Sequence, residues 1–130
     1  MVFRPRNASI LLADDDVAVR SGMSELLGDL GLEVIEAETG LQAIELASQR
    51  ALDAALLDYH MPGLNGLECL PRLHALRKGL PCIIYSGALT EAIQTAVLAA
   101  GAVAVLEKPV RPQLLREEVL RALESSSGNA

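Results

Sequence analysis

Six residues spread along the chain share one placement. Asp14, Asp15 and Asp16 follow the apolar run Ile10-Leu11-Leu12-Ala13, Asp58 ends the run Ala54 to Leu57, Ser86 follows Cys82 to Tyr85, and Lys108 lies just past Ala102 to Leu106. Taken singly, each has a plain structural reading, such as a strand-ending Asp that caps a loop. Gathered at one edge they would put several carboxylates, a hydroxyl and an ammonium into one crevice. Two carboxylates about 4 Å apart repel by roughly 4 kcal/mol at an effective dielectric near 20. They therefore need a cation or a raised pKa. Hard oxygen ligands select Mg²⁺, Mn²⁺ or Ca²⁺, and a site with few protein oxygens suits Mg²⁺, which keeps several waters. A metal beside a carboxylate, a lysine and a hydroxyl is what a phosphoryl group requires. The cations offset its charge while a carboxylate attacks phosphorus in line. The chemistry implied is phosphorylation of an aspartate.

The elements needed to assemble such an edge are legible in the hydrophobic pattern. Short apolar runs at 10–13, 32–37, 53–57, 82–85 and 102–106 read as five strands. Val19, Met23, Leu26, Leu27 and Leu30 fall on one helical face, with Gly31 placed for a C-terminal αL cap. Thr39-Gly40-Leu41-Gln42 has the spacing of a capping box and opens a second helix through about Arg50. A third helix is expected from about Gly66 to Arg77, with Leu67, Leu70 and Leu73 inward and Pro71 near its first turns, where a missing N–H costs least. Thr90 can cap a fourth helix carrying Ile93, Ala96, Val97 and Ala100, closed by Gly101. A fifth is expected from about Pro112 to Leu123, with Leu115, Val119, Ala122 and Leu123 inward. Five βα units with short connections imply a parallel sheet with helices on both faces, because each crossover is right-handed. All strand C-termini then share one edge, where open α/β sheets bind ligands.

Composition narrows the function. A chain of 130 residues is one domain by the usual prior and buries a substantial core. With one Phe, two Tyr and no Trp, it lacks stacking platforms for bases. The formal charge of −6, without a Lys/Arg block, argues against direct nucleic-acid or anionic-membrane binding. Cys69 and Cys82 lack metal-ligand spacing and are expected to be buried, reduced thiols of a cytoplasmic protein. No signal peptide or membrane-spanning run is present in the sequence. Residues 1–8 read as a lead-in, and residues 125–130 as a disordered tail or linker stub.

The same residues resemble the receiver domain of two-component response regulators. The resemblance covers about residues 8–124. It rests on Asp14-Asp15 after Leu-Leu-Ala, Asp53-Ala-Ala-Leu-Leu-Asp58, Met61-Pro62-Gly63 with Gly66, Ser86-Gly87, Ala100-Gly101-Ala102 and Lys108-Pro109. No single motif is diagnostic, but their joint order and spacing are specific. The resemblance implies a flavodoxin-like (βα)5 three-layer sandwich, with a five-stranded parallel sheet in the order 2-1-3-4-5 and a receiver unit over 1–124. It implies that Asp58 is the phosphoacceptor, that Asp15, Asp58 and the backbone carbonyl of His60 ligate Mg²⁺ (Mn²⁺ substituting), and that Asp14 acts through water. Lys108 would pair with the phosphoryl oxygens, Ser86 would move in to hydrogen-bond them, and Lys108-Pro109 would be cis. Asp16 is expected to cap the first helix. The implied function is a signalling switch rather than an enzyme acting on a separate substrate. A histidine kinase or phosphotransfer protein would supply the phosphoryl group from a phosphohistidine. A downstream protein would read the surface of the fourth helix, fifth strand and fifth helix.

Some positions depart from the family pattern. Val105 stands where a Tyr or Phe is usual, which puts the usual aromatic coupling in question. His60 and Ala88 occupy positions that influence how long the phosphoryl group survives, and Glu107 could compete for Lys108. His74 is expected to be exposed and without a role. Two rival readings stand beside the switch. A haloacid-dehalogenase-type phosphatase needs Thr or Val where this chain has Ala18, and a cap domain that does not fit in 130 residues. A receiver-like protein-binding module would signal without phosphorylation, a reading that Val105 keeps open.

Overall fold

Alternation within the apolar runs sends successive side chains to opposite faces of a sheet, so runs apolar at every position must be covered on both sides. A computed structural model describes residues 8–127 and bears this out. The order is β1 (Ser9–Ala13), α1 (Val17–Gly28), β2 (Glu33–Ala37), α2 (Gly40–Gln49), β3 (Ala54–Asp58), α3 (Gly66–Leu76), β4 (Cys82–Ser86), α4 (Glu91–Ala99), β5 (Ala104–Glu107) and α5 (Pro112–Ser127). The strands pair in parallel in the order β2-β1-β3-β4-β5. β3 and β4 are buried at every position, whereas β2, at an edge, exposes Glu33 and Glu36.

Two apolar layers enclose the sheet. Ile10, Leu12, Leu56, Ile83 and Tyr85 pack with Met23 and Leu27 of α1 and with Leu115, Val119, Ala122 and Leu123 of α5. Leu11, Ala13, Leu57, Cys82 and Ile84 pack with Ala43 and Ala47 of α2, Leu70 and Leu73 of α3, and Val97 of α4. Each fully buried Leu or Ile contributes about 1.5–3 kcal/mol. Both cysteines are free and buried in the second layer. Burial pushes the Cys69 thiol up to about 11 and the Cys82 thiol up to about 12, so both stay protonated.

Helix starts follow side-chain caps. Asp16 Oδ1 accepts from the N–H groups of Ala18 and Val19 at 2.9 and 3.1 Å, as the sequence suggested. Thr39 accepts from Gln42 N–H at 3.1 Å, but Gln42 Oε1 reaches back to Glu38 N–H rather than to the cap's own, so the capping box is displaced by one residue. α3 opens on a full capping box between Asn65 and Glu68, which the sequence reading missed. That box fixes the start at Gly66, as expected, and leaves Pro71 in the second turn, near the helix start. There it removes one intrahelical bond. Gly31 and Gly101 adopt the expected positive φ of 85° and 106°.

Other expectations need correction. The fifth strand covers Ala104–Glu107 rather than 102–106, and α5 runs past Leu123 to Ser127. Of the lead-in, Ala8 already accepts a bond from Glu33 N–H at 2.9 Å; residues 1–7 and 128–130 lie outside the described residues. His74 is half-buried, its Nε2 lying 3.0 Å from the Leu80 carbonyl oxygen. Gly40 shows the tightest approach of helix to loop. A Cβ there would fall 2.7 Å from Leu64 Cβ and 2.9 Å from Cys69 Sγ, so α2 rests directly on the connection between β3 and α3.

Candidate functional site

The parallel registers carry β1, β3, β4 and β5 to one edge, and their last residues or the ones just beyond face each other there. Asp14 extends the β1 ladder, its N–H donating to the Ala37 carbonyl at 3.1 Å, and it is wholly buried. Oδ1 accepts from Asp16 N–H at 2.8 Å, closing a turn that leaves Asp15 exposed beside it. Oδ2 accepts from the Tyr85 hydroxyl at 2.8 Å and the Lys108 ammonium at 3.2 Å. Asp58, the last residue of β3, is 3% exposed. Its Oδ1 accepts from His60 N–H at 3.3 Å and its Oδ2 from the Lys108 ammonium at 3.1 Å.

Glycine chemistry lets the next helix come this close. A Cβ on Gly66 would lie 2.9 Å from the Asp58 carbonyl oxygen and 3.3 Å from Ile84 Cδ1, so only glycine fits where α3 begins. Lys108 is set by β5. Its N–H donates to the Ser86 carbonyl at 2.9 Å, and the Lys108-Pro109 peptide is cis. Its ammonium also lies 4.9 Å from the centre of the Tyr85 ring, within cation–π range.

The electrostatics follow from burial. Desolvation, reinforced by the Asp14 charge, holds the Asp58 carboxyl above its usual range against the opposing pull of Lys108. Burial depresses Lys108, but the two carboxylates overcome that and hold it charged above its ordinary value. The Tyr85 phenol is pushed well up, first by burial and then by Asp14, and stays a hydrogen-bond donor. Asp14, Asp15 and Asp58 each offer a carboxylate oxygen, all within 4.8 Å of one another. A donor set made only of hard oxygens fits a small divalent cation such as Mg²⁺.

Of the residues singled out in the sequence, Asp14, Asp15, Asp58 and Lys108 are brought together. Ser86 is buried at the end of β4, but its Oγ accepts from Ala88 N–H at 3.1 Å and bonds to none of the site's side chains. His60 contributes its backbone N–H, while its exposed ring stands edge-on to Tyr59 with centroids 4.8 Å apart. Glu107 is exposed and, among the described residues, makes no ion pair, so it does not compete for Lys108. Two contributors were missed. Tyr85 appeared only as a strand residue, although a buried Tyr hydroxyl normally requires a partner. Arg20, 8% exposed, donates to the Asp14 carbonyl at 2.6 Å and pairs with Glu36 at 3.0 Å, bracing the acidic loop from α1. Its signal was a lone Arg beside the apolar face of the first helix.

A doubly wound five-stranded sheet carrying acids and a lysine at its carboxyl edge defines a signalling receiver. The family model for the response regulator receiver domain matches residues 10–120. The chain belongs to that family, which serves two-component signal transduction. It is 36% identical over 123 residues to the nitrate/nitrite response regulator protein NarL of Escherichia coli, covering 92% of this chain and 55% of that protein. It is 34% identical over 120 residues to a cyclic di-GMP phosphodiesterase of Thermotoga maritima, covering 90% of this chain but 31% of that protein. The chain thus spans a third to about half of these relatives. A receiver domain protein of Methanospirillum hungatei superposes with a TM-score of 0.91 at 30% identity, over 95% of this chain and 99% of that one. Family membership sets the phosphatase reading aside. Among the described residues, no helix is long and apolar enough to cross a membrane.

Proposed function

We propose that this receiver is a phosphorylation-activated switch in which Asp58 accepts a phosphoryl group from the phosphohistidine of a histidine kinase or phosphotransfer protein. An Asp58 carboxylate oxygen attacks phosphorus in line, the phosphorus–nitrogen bond breaks, and the imidazole leaves with the electron pair. Asp15, Asp58 and the His60 backbone carbonyl would hold Mg²⁺ or Mn²⁺, and Asp14 would act through water. The bound metal supplies positive charge to the phosphoryl oxygens. Lys108 shifts to those oxygens, and Ser86 turns from Ala88 to join it. The observation that carries this reading is the Lys108 ammonium held 3.2 Å from Asp14 and 3.1 Å from Asp58, beside a third carboxylate. A cation already stands where phosphoryl charge must be met.

Phosphorylation adds about −1.5 to −2 charge and biases a pre-existing equilibrium between inactive and active forms. The output is a downstream protein docking on α4, β5 and α5. In this reading the receiver unit is the switch, and the protein works in the cytoplasm without catalysing turnover of a separate substrate. Acetyl phosphate with Mg²⁺ tests it. Intact mass should rise by one phosphoryl group on the wild type, and not on Asp58→Asn or after chelation of the metal. An unchanged mass for the wild type, or an equal gain for Asp58→Asn, overturns the reading. Val105, half-buried where the family usually carries an aromatic ring, favours the second reading, a module that binds a partner without being phosphorylated.

A further inference from the structure

Asp14 is wholly buried, so bulk solvent does not take the place of a donor that leaves it. Its Oδ1 is taken by Asp16 N–H at 2.8 Å, and its Oδ2 is shared by Lys108 at 3.2 Å and the Tyr85 hydroxyl at 2.8 Å. Among the described residues Lys108 is also the only cation on Asp58, and in the proposed transfer it turns towards the incoming group. Its departure strips Oδ2 of one donor. Tyr85 cannot follow it. The ring is fully buried among Ile10, Leu12, Leu56 and Ile83, the residue pairs with Asp58 in the sheet, and its carbonyl accepts from Tyr59 N–H at 2.8 Å.

We propose that Tyr85 is a positioning residue for phosphorylation of Asp58, a role that rests on the reading above. Its hydroxyl, a neutral donor anchored by the core, keeps Asp14 Oδ2 hydrogen-bonded while Lys108 moves away, and so lowers the cost of releasing the lysine. Its ring face guides the ammonium between the two carboxylates, from 4.9 Å. A neutral donor suits the task because it satisfies Asp14 Oδ2 without cancelling the carboxylate's negative charge.

Two measurements decide it. With acetyl phosphate at saturating Mg²⁺, Tyr85→Phe should phosphorylate about tenfold more slowly than the wild type, the effect of losing one hydrogen bond to a charged group. In an Asp14→Ala background, which leaves the hydroxyl no side-chain acceptor there, the same substitution should change the rate less than twofold, because the two act through one bond. Equal rates for Tyr85→Phe and wild type, or equal penalties in both backgrounds, overturn the inference. The second measurement needs no variant and so decides even if Tyr85→Phe does not fold. The Tyr85 hydroxyl proton should appear in NMR spectra of the metal-free wild type as a slowly exchanging resonance. It should persist when beryllofluoride and Mg²⁺ are added, and its disappearance then overturns the inference. A wild type that gains no mass fails the underlying function as well, whereas a phosphorylated wild type with a normal Tyr85→Phe fails this role alone.

Discussion

The two faces of β4 treat the site differently. Towards α1 and α5, Tyr85 is buried to zero exposure, its hydroxyl is engaged by Asp14, and Arg20 grips the Asp14 backbone from the same side. Towards α3 and α4, Ser86 bonds only to a neighbour in its own loop, and Val105 and Ile93 are half-buried. One face is tied across the sheet by polar contacts, and the other holds its end of the site by apolar contact alone. Where a phosphoryl group has to be accommodated, the loosely tied face is the one free to change. Of the proposed readout surface, α4 lies on that loose face and α5 on the tied one.

Three substitutions probe this asymmetry. Lys108→Met removes the cation shared by Asp14 and Asp58 and leaves two buried carboxylates facing each other. Because Lys108 is 22% exposed at its side chain, the loss of stability should be about 2 kcal/mol, below the value for a wholly buried pair. Urea unfolding measures it. A loss under about 0.5 kcal/mol would mean that the tied face is not held by charge.

Asp58→Asn tests the same face through pH. Burial and Asp14 raise the Asp58 carboxyl above its unfolded value of 3.8. The folded state therefore binds that proton more tightly than the unfolded chain. The resulting stability is fully present below 3.8 and is lost as pH rises through the folded value. An Asn escapes that loss, so Asp58→Asn should melt about 3–6 °C above the wild type at neutral pH, the shift that about 1 kcal/mol produces in a domain of this size. The gap should close as pH falls towards the unfolded value. A gap that widens on acidification would reverse the assigned direction.

The smallest effect belongs to the loose face. Ser86→Ala gives up only the bond from Ala88 N–H and should change stability by less than about 0.5 kcal/mol. If thermal melting shows a larger loss, Ser86 is fixed by contacts comparable to those of Tyr85, and the asymmetry disappears.

Much of this was legible in the sequence because strand ends and helix faces are local patterns. Ile10 to Ala13 and Ala54 to Leu57 announced buried strands, and βα alternation then carried Asp14, Asp58 and Lys108 to one edge without any knowledge of contacts. Tyr85 escaped because its partner is 71 residues away, across β3, and nothing near it in the chain distinguishes a core Tyr from one that reaches an acid. The start of α3 at about Gly66 was legible, but the Asn65–Glu68 box that sets it was not singled out, because Asn65 sits among the turn residues before Gly66. His74 looked like a surface residue on helical spacing. Its bond to Leu80 depends on how the α3–β4 connection folds back, which periodicity does not encode.

The contact of Gly40 with Leu64 bears on how this molecule can diversify. The loop after β3 has one margin open to solvent, at His60 and Pro62, and another pressed against α2. Side chains on the open margin can be exchanged without disturbing the buried layers, so substitutions can accumulate there one at a time. On the pressed margin any new atom at position 40 displaces Leu64 or Cys69, and change there requires simultaneous compensation. The open margin of the loop is thus free to drift while its scaffold is not.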